Sequence, residues 1–278
     1  MLKNFFNRML QYYYATNKKE VLFQSKLRQE IESIKKNEFK RDKKNLIPYG
    51  FKVFSQTDED GIINEIFKRI GTTNKKFLEF GVNTSKNNTT FLLLNNWTGI
   101  WLEVSTLKII RIKNKYKIPL KNNSLKIYKK KITAENINKV IKSTHLKGVI
   151  DLLSIDIDGN ELYLLNKLSQ IRPRVIVVEY NSKFPPPFKK SIKYSPNFIW
   201  KYDDYLGSSL QELVDNLKKK NYALVGCNVS GVNAFFVKKE LLKNKFPKDT
   251  SAIFHYQQFR AGLINLKTSH PESNKWFD

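Results

Sequence analysis

The chain has 278 residues, 41% of them hydrophobic, enough for one large α/β domain with appendages. Its formal charge of +25 rests mostly on Lys spread along the chain beside abundant Asn, Ile, Phe and Tyr, the signature of AT-rich bacterial coding; a nucleic acid would need those lysines gathered on one face with aromatics between them, and the aromatics fall instead in core-like strands and one loop. The single cysteine, Cys227, excludes an internal disulfide and suits a reducing cytosol, and no run of about 18 apolar residues is present to span a membrane.

Residues 2–44 carry apolar positions at helical spacing, among them Phe5, Met9, Tyr13, Leu22, Leu27, Ile31 and Ile34. One or two helices are expected there. Their stripe could cap the core, build a contact in a homo-oligomer or rest on a membrane surface, and the segment lacks the compact apolar stretch of a signal peptide. We therefore set 1–48 apart as a helical extension, 49–240 as the main domain and 241–278 as a C-terminal tail.

From Phe51 the pattern becomes short apolar runs alternating with helical segments. The runs at 75–82, 98–104, 125–132, 149–157 and 174–181 read as strands, with helices between them. Such alternation gives a parallel sheet covered on both faces. A helix at 208–220 then leads to two strands, "YALVGCNV" and "VNAFFVKK", joined by "SG" and close enough to pair antiparallel. A seven-stranded, mostly parallel, Rossmann-like α/β sheet closed by an antiparallel hairpin resembles the class I S-adenosylmethionine-dependent methyltransferases.

Ligands of open parallel sheets bind at the carboxyl ends of the strands. The first strand ends in Glu79-Phe80-Gly81-Val82-Asn83, where a glycine lets backbone and ligand come close. The G-x-G-x-x-G cradle of dinucleotide enzymes is missing, which fits a cofactor without a pyrophosphate. Glu103 closes the second strand 22 residues after Gly81, placed to accept hydrogen bonds from ribose hydroxyls. In "SQTDEDG", Gln56 and Asp60 could reach the amino-acid end of the cofactor, or the acidic run could simply open a helix; Thr89, in "NNTT", could cap a helix or face the same pocket.

The ordered set "SQTDEDG", "KFLEFGVN", "NTTFLL", "WTGIWLEV", "LLSIDIDGNELY", "RVIVVEYN", "YLGSSLQELV" and "YALVGCNVSGVNAFFV" is similar to the FkbM-type family of bacterial methyltransferases over roughly residues 50 to 240. That resemblance implies S-adenosylmethionine as cofactor, with adenine near Ala134 and Glu135. It also implies O-methylation of a small intermediate, commonly a sugar or sugar nucleotide for surface polysaccharide.

Asp156 and Asp158 end an apolar strand, where charges need solvent or a partner. They alternate along the strand, as do Glu179 and Asn181 on the next one, and adjacent strands lie about 4.8 Å apart. Oxygens of Asp156 or Asp158, Glu179 and Asn181 could then converge on Mg²⁺ or another divalent cation, with Asp156 and Asp158 the candidate catalytic carboxylates. "SIDIDGN" also resembles the strand-four motif of metal-dependent catechol and caffeoyl-type O-methyltransferases, whose first aspartate, matched by Asp156, is a metal ligand; the adjacent Asp-Asn of their fifth strand is interrupted here by Tyr180. Without a metal, Asp156 could serve directly as general base, and one of Asp156 and Asp158 could instead cap the next helix while Gly159 makes the turn.

Two further features complete the expectations. His255 could reach the site from the C-terminal segment. The loop 182–206 is long enough to form a substrate lid, with Tyr194, Trp200 and Tyr202 to stack on sugar rings and Lys183, Lys189 or Lys190 to meet a phosphate. The whole reads as a cytoplasmic O-methyltransferase, against two alternatives: a metal-free enzyme acting on an amine or phosphoryl group, and a non-catalytic basic module.

Overall fold

The computed structural model describes residues 2–264 and 269–277. Of the one or two helices expected at the start, the chain forms one, α1 (Leu2–Arg41); the side chains of Phe5, Met9 and Tyr13 lie outside the described residues. There follow α2 (Glu59–Ile70), β1 (Lys76–Phe80), α3 (Thr90–Leu93), β2 (Thr98–Glu103), α4 (Thr106–Lys115), α5 (Lys117–Lys121), β3 (Leu125–Lys129), α6 (Ile137–Ser143), β4 (Gly148–Ile155), α7 (Glu161–Lys167) and β5 (Ile171–Glu179). The chain closes with α8 (Leu210–Lys219), β6 (Tyr222–Cys227), β7 (Asn233–Lys238) and α9 (Ala252–His255). No described helix is long and apolar enough to cross a membrane.

The seven strands form one sheet in the order β3-β2-β1-β4-β5-β7-β6. All neighbours pair in parallel except β7, which runs antiparallel to both β5 and β6. Because side chains alternate across a strand, the apolar runs feed two cores. Leu78, Ile100, Leu153 and Ile176 pack on one side with Ile137, Leu164 and Leu213 of the helices. Phe77, Trp101, Leu152 and Val177 pack on the other with Ile62, Ile66 and Ile112.

Strand β5 begins three residues earlier than the sequence pattern gives, running through Pro173. Proline lacks a ladder donor, but β7 joins β5 only at Val175, so the missing donor falls where that neighbour has not begun. At the opposite end of the sheet from the functional rim, Asp151 is fully buried and takes N–H groups from Thr73, Asn74 and Lys75 while pairing with Arg174 at 2.6 Å. Burial works to raise its pKa, and Arg174 with the backbone donors outweighs it, leaving the carboxyl below its usual range.

The residues beyond β7 fold back onto the body. Arg260 pairs with Glu30 of α1, Gln257 donates to Glu38, and Arg41 lies 4.2 Å over the Phe254 ring. Asp204 takes the Ser273 N–H and the Trp276 indole N–H, binding residues 269–276 to the 182–206 loop. The segment set apart as a tail is thus part of the wall around the strand ends.

Candidate active site

At the carboxyl ends of β1, β4 and β5 three carboxylates meet. Oxygens of Asp156, Asp158 and Glu179 all lie within 4.8 Å of one another. Strand register explains the meeting: Phe80 stands opposite Ile155 and Ile155 opposite Val178, so β4 and β5 end at the same level. Burial, then the charges of Asp158, Glu161, Glu79 and Glu59, push the Asp156 carboxyl well above its ordinary range. Burial, then Asp156, Asp158 and Glu161, do the same for Glu179, and one Glu179 oxygen is buried with no protein partner. A buried carboxylate without a partner is costly, and the raised pKa values favour the protonated, neutral forms of Asp156 and Glu179.

The expected trio changes by one member. Asn181 is buried and its amide donates to the carbonyls of Asp204 and Leu206, at 2.9 and 3.0 Å, while its oxygen accepts the Lys183 N–H. Its side chain is spent on holding the loop, and Asp158 joins Asp156 and Glu179 instead. Asp158 adopts a left-handed backbone (φ 58°) and so makes the turn that the sequence assigns to Gly159. Neither aspartate caps α7: its N-cap is Asn160, and Glu161 reaches back to take the N–H groups of Ile157 and Gly159.

Gly81 shows why β1 must end in glycine. Its φ is +78°, and a Cβ there would stand 1.6 Å from the carbonyl oxygen of Asp156. The backbone of the first strand end is therefore pressed directly against the aspartate that anchors the cluster. Gly81→Ala should destabilise the protein by about 2–5 kcal/mol through left-handed strain and overpacking; urea unfolding measures it, and an unchanged midpoint would contradict this geometry.

Two cavities flank the carboxylates. One, of about 590 Å³, is lined by Gly81, Glu103, Lys108, Lys130, Asp156 and Asn160 among others. Glu103 is 4% exposed, accepts the Ser105 N–H at 2.7 Å with one oxygen and lies 4.0 Å from Lys108 with the other. Ala134 is buried, its N–H on the Tyr194 hydroxyl, which in turn donates to Glu135 at 2.6 Å, and neither residue lines this cavity. The second cavity, of about 280 Å³, opens from Glu179 and is lined by Lys183, Trp200, Asp204, Phe259 and His270. The loop 182–206 is strapped across both: Ser195 takes the Asn160 amide, Ile192 takes the Tyr163 hydroxyl, and Asn197 takes Lys131.

Several expected ligands are placed elsewhere. One Asp60 oxygen accepts the N–H groups of Val53, Phe54 and Ser55, folding the loop before α2; Gln56 holds Lys52 through its backbone carbonyl, and neither residue lines the two cavities. Glu79 and Thr89 form a buried network in which Thr89 donates to Glu79 and receives the Trp101 indole N–H at 2.8 Å. Burial raises the Glu79 pKa to about 7. Asn83 is exposed beyond β1. His255 is buried in α9 with a ring nitrogen on the Asp249 carbonyl, and burial lowers its pKa to about 4; it lines neither cavity. Lys189 is held by Asp215. Cys227 is buried, and burial pushes its thiol pKa up, as suits a core residue.

Sequence reasoning missed Phe259, His270 and Asp204 at the second cavity. They come from segments remote in sequence with no motif of their own, and only the contact between the loop and the C-terminal segment brings them together.

A sheet in this order, reversed at β7 alone, has the Rossmann-like architecture of the class I methyltransferases, and the family match makes the chain an S-adenosylmethionine-dependent methyltransferase. Within that class it belongs to the FkbM family, whose model, described as the Methyltransferase FkbM domain, matches residues 53–224. No curated protein matches the chain. Among solved structures it is similar to magnesium protoporphyrin IX methyltransferase (ChlM) from Synechocystis PCC 6803 with bound SAM, at 9% identity over 66% of this chain and 79% of that one, with a TM-score of 0.44. It is also similar to the N-terminal domain of EvdMO1 in the presence of SAH and D-fucose, at 12% identity, 65% and 82% coverage and a TM-score of 0.44. A third is an S-adenosylmethionine-dependent methyltransferase from Clostridium acetobutylicum ATCC 824, at 11% identity, 63% and 88% coverage and a TM-score of 0.40.

Proposed function

We propose that the protein is a cytoplasmic O-methyltransferase that uses a divalent cation, such as Mg²⁺, to methylate a hydroxyl of a sugar or sugar nucleotide destined for surface polysaccharide. The observation that carries this reading is the position of Asp156, Asp158 and Glu179, oxygens within 4.8 Å, between a cavity on the Gly81 and Glu103 side and another opening from Glu179. The first cavity is the cofactor's place in this reading: a carboxylate closes β2, a glycine closes β1, and the partly exposed carboxylates of the rim suit a cationic ligand. When bound, it supplies a methyl group activated on a sulfonium.

In this reading Glu103 accepts the ribose hydroxyls, and Gly81 keeps the strand end bare of side chain so that the cofactor can lie along it. Asp156 and Glu179, with Asp158, hold the cation or, in its absence, take the hydroxyl proton themselves. A divalent cation there would supply Lewis-acid chemistry that makes an acceptor hydroxyl easier to deprotonate, which is what an alkyl alcohol needs to become a nucleophile. The lid residues orient the acceptor against the cofactor side, and its proton leaves through the carboxylate cluster.

The test is methyl transfer from S-adenosylmethionine to a panel of monosaccharides and sugar nucleotides, with Mg²⁺ and with EDTA. Turnover on a sugar hydroxyl that EDTA abolishes is the expected result. Turnover indifferent to EDTA would remove the cation and leave Asp156 as the base, and turnover confined to amines would overturn the hydroxyl assignment.

A further inference from the structure

The loop 182–206 divides its residues between the two cavities. Trp200, Asp204 and Leu206 line the one that opens from Glu179, whereas Pro196, Asn197, Phe198 and Ile199 line the one that holds Gly81 and Glu103. The tip of a loop expected to cover the acceptor therefore stands at the other cavity. Its packing there is close. A Cβ on Gly159 would stand 2.5 Å from the Phe198 ring, so the glycine that follows Asp158 leaves the room this ring occupies.

Polar contacts fasten the tip to the strand ends around it. The Tyr194 hydroxyl accepts the Ala134 N–H at 3.1 Å and donates to Glu135 at 2.6 Å, and its ring lies 5.0 Å from that of Tyr163. The Ser195 carbonyl accepts the Asn160 amide at 2.8 Å, and the Asn197 side chain accepts the Lys131 ammonium at 2.6 Å. The tip is thus tied to the segments that follow β3 and β4. Between these ties the cavity carries apolar side chains that stand largely in solvent. Val104, just after β2, is 57% exposed and Ile199, on the tip, is 80% exposed, and both line the same space with Ile132. Apolar side chains from separate elements that line one open cleft lose their contact with water when a flat apolar group is placed there, and that loss favours binding.

We propose, resting on the cofactor's place in this cavity, that residues 196–199 are the outer wall of the cofactor site, where Phe198 and Ile199 cover the adenine of S-adenosylmethionine together with Val104 and Ile132, and that Tyr194 is the positioning residue that latches this wall. Ala134 and Glu135 then serve the cofactor through the loop: their N–H and carboxylate hold the Tyr194 hydroxyl, and neither residue lines the cavity itself. The loop is a cofactor element at its tip, and only from Trp200 onward does it border the cavity that opens from Glu179.

Hydrogen exchange and isothermal titration on the full chain test the wall. In the cofactor-free protein, Tyr194→Phe keeps the ring on Tyr163 and removes only the hydroxyl, so amides of the loop tip should exchange about fivefold faster than in wild type. Bound S-adenosylhomocysteine should slow exchange of the same amides in the wild-type chain. Ile199 is 80% exposed, so Ile199→Ser is tolerated by the fold, and it should weaken S-adenosylhomocysteine binding by about 10-fold. Phe188→Ser, on the same loop at a residue that is 62% exposed and outside both linings, should leave that affinity unchanged. Tip amides that exchange equally fast with S-adenosylhomocysteine bound, or wild-type affinity in Ile199→Ser while Glu103→Ala loses binding, would overturn the wall and leave the cofactor's place intact. Unmoved exchange of the tip in Tyr194→Phe would overturn the latch. Wild-type affinity in Glu103→Ala as well, or failure of S-adenosylhomocysteine to bind the wild-type chain, would instead remove the reading on which the wall rests, and the wall with it.

Discussion

Glu103→Ala should weaken S-adenosylhomocysteine binding by about 10²–10⁴-fold in isothermal titration, the largest single effect on the cofactor. Two hydrogen bonds to a charged acceptor are worth about 1.5–3 kcal/mol each, and each 1.4 kcal/mol is about tenfold in affinity. The side chain is preorganised for this: it is buried to 4% exposure at the end of β2, and the Ser105 N–H at 2.7 Å fixes one oxygen. Because the substitution also removes the partner of Ser105, thermal unfolding of the cofactor-free variant separates a binding loss from a folding loss. Glu103→Gln keeps the shape and one acceptor and should fall between. Wild-type affinity in Glu103→Ala would disprove the ribose assignment and leave the carboxylate as a cap for the turn into α4.

The second large effect concerns the carboxylate cluster. Glu179→Gln should lower turnover by about 10²–10⁴-fold, the range for removing a group that handles a proton in the transition state, while making the cofactor-free protein more stable at pH 8. The sign follows from protonation. Burial and neighbouring carboxylates raise the folded-state pKa of Glu179 well above its ordinary value, so the folded protein holds a proton that the unfolded chain has released. Stability is therefore full below about pH 4, where both states are protonated, and falls as pH rises toward the folded-state pKa. The melting temperature of Glu179→Gln should match wild type at pH 4.5 and exceed it at pH 8. A gap that is constant with pH would show that Glu179 does not share its site with other negative charges. Added Mg²⁺ should raise the wild-type melting temperature and leave the variant unmoved if the cluster holds a cation.

Stability lost to a cluster of like charges fits its location. Asp156, Asp158 and Glu179 sit at the rim that the sheet order creates, with buried Glu79 and Glu161 near enough to add to their repulsion. Proteins tolerate such arrangements at functional sites, and the apolar cores on both faces of the sheet supply the stability that offsets them.

How much of this was legible in the chain itself varies by residue. Five apolar runs alternating with helical segments, then two close strands, were sufficient for the parallel sheet and its reversed closing pair, because side-chain period and connection length are local properties written in the residues. Gly81 and the carboxylates at the strand ends were legible for the same reason: a strand's last residue lies at the rim wherever the sheet is parallel. Tertiary structure decided which polar groups face that rim. Asp60, Thr89 and Asn181 have the right chemistry for ligands, yet each has a backbone or side-chain partner across the fold that no local pattern reveals. It also decided that both aspartates, and not one of them with Asn181, join Glu179, Asp158 through a left-handed turn that sequence statistics assign to the neighbouring glycine. The second cavity is tertiary in origin, since Trp200, Phe259 and His270 meet only because Asp204 fastens the C-terminal segment to the loop. Composition and periodicity act between near neighbours and so determine the sheet and its rim; the aim of each side chain at that rim depends on contacts between distant segments, which only the folded chain supplies.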